Sequence, residues 1–92
     1  SLGPPMALPY SFGLCRANID QLLTVTDDAI RSAMLLLFDE MKLAVEPAAA
    51  AGTAALLGPL RDELAGKRVG IIICGTNIDR KTHAALLRDD EA

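Results

Sequence analysis

The residues best suited to holding a ligand stand together at Cys74-Gly75-Thr76-Asn77. Gly75 lets a backbone come close to a bound group, and Cys74, Thr76 and Asn77 offer hydrogen-bonding side chains. They end a short apolar run, Val69 to Ile73, rich in β-branched residues, which reads as a strand buried on both faces. Asp79 follows as the expected N-cap of a closing helix. A buried strand that runs through a glycine turn into a helix is where open α/β sheets keep their ligands. The same residues also suit an ordinary strand-to-helix loop without a ligand.

Other reactive side chains are sparse. One histidine, His83, and no Cys-x-x-Cys leave no metal site to propose. Cys15 and Cys74 lie far apart and read as unpaired thiols of a cytosolic protein, Cys15 as a helix-core thiol. His83 reads as an exposed helix residue, and Lys42, Lys67 and Lys81 as solvated surface residues.

The elements that must position the turn follow from punctuation and periodicity. Gly3-Pro4-Pro5 and Pro9 mark a loop, and Pro9 opens a short helix ending near Asn18 that Gly13 weakens. Gln21 to Val25 is a second β-branched and apolar run. Thr26 then caps a helix over about 27–43, with Asp27 and Asp28 in its first turn. Its apolar stripe is Ile30, Met34, Leu37, Phe38 and Met41, while Leu35 and Leu36 lie off it, so the helix is expected to pack on more than one side. Pro47 opens a small-residue helix through Ala55 that can approach a neighbour closely. Gly58-Pro59 ends it, and a turn through Leu60 and Leu64 reaches Gly66, a plausible C′ glycine. A last helix runs over about 80–87, followed by an acidic tail.

That order, helix-strand-helix-helix-strand-helix, predicts an α/β fragment with a doubly wound parallel sheet. Two strands alone would leave both edges open, so the chain is expected to be incomplete as a fold. Its 92 residues bound one small domain or a piece of a larger one. At 51% hydrophobic, 3% aromatic and a mean hydropathy of +0.30, it is apolar for its size. A formal charge of −3 without a Lys/Arg cluster argues against nucleic acid and anionic membrane surfaces. No apolar stretch is long enough for a transmembrane helix, and the N-terminus lacks a signal-peptide layout.

Several stretches together resemble one enzyme family. Val25-Thr26-Asp27-Asp28-Ala29-Ile30, Leu35-Leu36-Leu37-Phe38, Met41-Lys42-Leu43-Ala44-Val45-Glu46-Pro47-Ala48 and Ile73-Cys74-Gly75-Thr76-Asn77-Ile78-Asp79 are similar, in order and spacing, to the C-terminal end of the catalytic domain of threonine dehydratases and serine racemases. These are pyridoxal-phosphate enzymes of the tryptophan-synthase-β type, fold type II. The resemblance covers about residues 9 to 87. It implies that Cys74 stands where the family has a serine that donates its hydroxyl to the pyridine nitrogen of the cofactor. Thr76 replaces a Gly or Ala, which implies a tighter ring pocket. Asn77 matches and is expected to hold the turn. Glu46 matches the family's Glu-Pro near the cofactor ring, or serves as a helix-entry carboxylate.

The family's Ser-x-Lys-x-Arg-Gly segment, whose lysine forms the Schiff base, and its phosphate-binding glycine loop have no counterpart in these residues, so no catalytic residue is assigned. The resemblance therefore implies that residues 1–92 are a C-terminal segment of a catalytic domain. That domain would deaminate threonine or serine to a 2-oxo acid and ammonia by β-elimination. The remainder of the domain or a companion chain would supply the missing parts, in a cytoplasmic homo-oligomer. The alternatives are a racemase-like segment, or a truncated or split paralogue that acts as an interaction segment without chemistry.

Overall fold

Four helices account for the regular structure of residues 3–89, which the computed structural model describes: α1 (Pro9–Asn18), α2 (Asp27–Met41), α3 (Pro47–Leu57) and α4 (Arg80–Asp89). Their starts are chemically marked. Pro9 and Pro47 occupy first-turn positions, where a missing N–H costs nothing. Thr26 Oγ1 accepts the Ala29 N–H at 3.1 Å. Arg31 pairs with Asp28 one turn back. The acidic tail expected after α4 lies at 90–92, outside the described residues.

The end of α2 comes earlier than its apolar pattern suggests. The helix stops at Met41, and Lys42 takes the left-handed conformation at φ 58° and ψ 35°. The Leu43 N–H reaches back to Leu37 O at 3.1 Å and that of Lys42 to Phe38 O at 3.0 Å, satisfying carbonyls that the helix leaves open. This reversal turns the chain towards α3. The expected left-handed glycine at Gly66 does form, with φ +78°, closing the turns that follow α3.

The core lies between α2 and α3. Ile30, Ala33, Met34 and Leu37 pack on Ala49, Ala50 and Ala54, with Val45 fully buried beside them. Small side chains on α3 let the two helices approach, and Gly52 admits Ile71, whose Cγ2 would lie 3.0 Å from an added Cβ. α2 also packs against α4, but of the two apolar residues off its stripe Leu35 is half-buried and Leu36 is exposed. Phe38 leaves the expected stripe for that second face, Met41 is exposed, and Ala33 takes an inward position instead.

Two expectations need correction. Among the described residues no strand forms: neither 21–25 nor 69–73 joins a ladder, because neither run lies hydrogen-bonded beside another. Nor is 69–73 buried on both faces. Ile71 and Ile73 are half-buried while Ile72 is 86% exposed, the alternation of a segment covered on one side. The second correction is α1, which packs on none of the other helices and buries no residue, so Cys15 is an exposed thiol rather than a core one.

No helix among the described residues is long and apolar enough to cross a membrane, and no cluster of His, Cys, Asp and Glu there could hold a metal ion.

Candidate functional site

The segment after Ile73 is fixed by a residue from the other side of the core. Glu46 sits at the N-cap position of α3, where Pro47 confines it to extended backbone at φ −72° and ψ 158°. Its backbone N–H donates to Gly75 O at 3.3 Å, and its carboxylate Oε2 accepts the Asn77 N–H at 3.0 Å. Both ends of the Gly75–Asn77 turn are thereby tied to one residue. A bond to an ionised acceptor is stronger than its neutral counterpart.

Gly75 gives this contact its room. A Cβ there would stand 3.1 Å from Glu46 Oε2 and 3.4 Å from its Cδ. The Ile78 N–H closes onto Thr76 O at 2.8 Å, which tightens the bend further. Asp79 then caps α4 as expected: Oδ1 accepts the Thr82 N–H at 2.9 Å and Oδ2 the Thr82 hydroxyl at 2.8 Å. These two bonds hold the Asp79 carboxyl below the ordinary aspartate value.

All five sequence-chosen residues therefore meet. Cys74, Thr76 and Asn77 are exposed, and Gly75 and Glu46 are half-buried beneath them. Cys74 is a free thiol, open to a bound group. Asn77 takes part in the turn through its backbone N–H, not its side chain. Glu46 serves as the tie between the helix entry and the turn, a role that its place in the sequence does not disclose.

A cleft of about 810 Å³ opens beside the turn, between Phe38 at the end of α2 and the inward face of α4. Thr76 lies in its wall; the other four candidates do not. His83 also lines it and is buried, contrary to the expected exposed position. Its ring meets Phe38 in a T-shaped contact, with centroids 5.5 Å apart and planes at 64°. The signal was present in the spacing: His83 stands three and four residues before Leu86 and Leu87, on the face of α4 that turns inward.

Residues 1–75 match the family described as pyridoxal-phosphate dependent enzyme. The chain belongs to that family. Its cofactor is pyridoxal phosphate, and the match ends at Gly75, inside the turn that Glu46 holds. Among curated relatives, the chain is 58% identical over 84 residues to a phenylserine dehydratase from Ralstonia pickettii, covering 91% of this chain and 26% of the relative. It is 43% identical to an L-threo-3-hydroxyaspartate ammonia-lyase from Saccharomyces cerevisiae, over 89% of this chain and 25% of the relative. A serine racemase from Dictyostelium discoideum is 37% identical, over 84% and 24%. The chain thus spans about a quarter of the length of these family members.

The residues present fit one end of the family's cofactor. An exposed thiol on a turn tied at both ends offers a weak hydrogen-bonding group of the kind a pyridine nitrogen can take. None of the five candidates is cationic, so they supply no partner for the phosphate end.

Proposed function

We propose that this chain forms the part of a pyridoxal-phosphate lyase that holds the ring end of the cofactor. The whole protein would then convert threonine or serine to a 2-oxo acid and ammonia by β-elimination. The observation that carries the proposal is the double tie of Glu46 to Gly75 and Asn77, which fixes the turn bearing Cys74. Two of the relatives above are named for elimination or deamination of amino acids that carry a β-hydroxyl, and the third for serine, which also carries one. The β-hydroxyl is what an elimination expels, and the dehydratase and ammonia-lyase names of the two more similar of these three relatives support elimination over racemisation.

In this reading Cys74 donates its weak S–H to the pyridine nitrogen, or accepts from it, without adding charge. Gly75 brings the backbone close to the ring edge, and Thr76 narrows the pocket on one side. Asn77 and Glu46 keep that arrangement fixed while the ring is bound. The cofactor supplies an electron sink for the bond changes at the substrate α-carbon. Residues 1–92 are the C-terminal segment of that catalytic domain and depend on the rest of it for cover, consistent with Ile72 and Leu22 at 86% and 80% exposure.

The test is a series at Cys74 in the full protein, read by cofactor absorbance and dehydratase rate. Cys74→Ser keeps most of the activity, and Cys74→Asp lowers it by holding the ring protonated. Cys74→Ala weakens cofactor binding by about 1 kcal/mol, the worth of one modest hydrogen bond. If Ala is the mildest change and no variant moves the spectrum, Cys74 is merely a small residue at a segment end and the reading fails.

A further inference from the structure

We propose that the cleft between the end of α2 and α4 is a second site, for a small organic carboxylate with an apolar body, lying next to the cofactor turn but separate from it. Three observations converge. The cleft is floored by Phe38, Ile78 and Leu87, which suits an aromatic or branched hydrocarbon body, and its volume falls within the range of small-molecule pockets. Arg80 and Arg88 both line it, and among the described residues no acidic side chain does. Neither arginine has an ion-pair partner among the described residues.

The helix geometry explains how two cations serve one ligand. Arg80, Ala84 and Arg88 are spaced i, i+4, i+8 and share a face of α4, with the guanidinium-bearing residues about 12 Å apart along the axis. The methyl of Ala84 leaves the space between them open. Guanidinium groups on long stems can fold inward over that gap and receive a carboxylate in a fork.

His83 supplies the independent sign of a ligand. It is 9% exposed and lines the cleft, and its Nε2 is buried without a hydrogen-bond partner. Buried nitrogens are nearly always paired, so a lone one marks a place where a further group completes the wall. A carboxylate oxygen held between the arginines meets that need after a small adjustment of the Phe38 contact.

Occupancy reports to the turn through Thr76, which stands in the cleft wall between Gly75 and Asn77. The inference rests on the cleft alone and stands whether or not the lyase reading holds. The site would act as an effector site: a carboxylate seated there presses on the turn that Glu46 fixes.

Calorimetric titration of the full protein with benzoate, and separately with inorganic phosphate, tests it. Benzoate is expected to saturate with a Kd in about the millimolar range or tighter. The double variant Arg80→Ala/Arg88→Ala should weaken it at least about tenfold. Ala84→Leu, a tolerated change at an exposed helix position, should block the cleft with an unchanged melt. A control at the exposed Arg61 and Arg68 leaves binding intact. Benzoate that does not saturate, affinity unchanged in both cleft variants, or phosphate binding without benzoate binding overturns the proposal.

Discussion

The Glu46 carboxylate accepts the Asn77 N–H at 3.0 Å while a Cβ on Gly75 would lie 3.1 Å from the same oxygen. One carboxylate oxygen therefore sets both the hydrogen bond of the turn and the size limit on the residue inside it. The glycine and the glutamate are a single device, and its parts are not independent.

That dependence is measurable as a double-mutant cycle. Glu46→Ala hands the exposed Asn77 N–H to water and costs about 0.5–1.5 kcal/mol. Gly75→Ala makes the carboxylate give by a few tenths of an ångström and weakens the same bond. In the double variant the second change adds little, because the clash partner is gone. Denaturant midpoints in the full protein check this, and strictly additive losses would refute a shared device.

Lys42 gives a ranking. Its left-handed backbone costs a non-glycine residue about 1–2 kcal/mol. Lys42→Gly removes that cost, less about 0.5–1 kcal/mol of added freedom in the unfolded chain. Lys42→Val, with a β-branched side chain at positive φ, fares worst. The expected order of melting temperature is Gly, Lys, Val, and a Val variant as stable as Lys contradicts the strained geometry.

These two sites show what was legible in the sequence. Local chemistry declared itself: Thr26 and Asp79 cap, Pro9 and Pro47 open helices, and Gly66 takes its positive φ, because each acts on its own few neighbours. Lys42 ends α2 although nothing at that position favours a left-handed turn, since the reversal follows from packing Leu43 and Val45 into the core. Glu46 could be found only by resemblance, as its partner lies far along the chain. The sheet is not seen for the same reason: the family implies an α/β fold, and a β-branched run at 69–73 announces a preference, but a ladder needs a neighbour that 21–25 does not provide. His83 is buried because it stands one turn before Leu87 on the inward face of α4, a spacing that outweighs the usual exposure of a lone histidine on a helix.

Asp79 predicts an acid response of α4. Its carboxyl titrates below the ordinary aspartate value of about 3.9 because the charged form accepts both Thr82 bonds. The folded pKa is depressed, so the contribution is complete above the unfolded value and disappears as pH falls through the lowered one. Amide-exchange protection at Thr82 is expected to hold above about pH 5 and to drop in that acid window. In Asp79→Asn, which still caps but does not titrate there, the drop should vanish; an unchanged profile would point to another group.

The isolated 92 residues should not behave as a stable monomer. Tyr10, Leu22 and Ile72 are 79%, 80% and 86% exposed, and α1 touches no other helix. Size exclusion with thermal melting of the chain alone decides it. A cooperative, concentration-independent monomer transition would count against dependence on a larger domain.

The contact between Glu46 and Asn77 spans 31 positions, and this has a consequence for the order of folding. Helices close through neighbours four residues apart, but this bond waits until the intervening chain has been drawn into a loop, whose closure entropy must be met first. The α2–α3 pair, joined by a short reversal at Lys42, can assemble before it. The turn is then a late acquisition of the folding chain, and substitutions at Glu46 should quicken unfolding while leaving the refolding rate nearly unchanged.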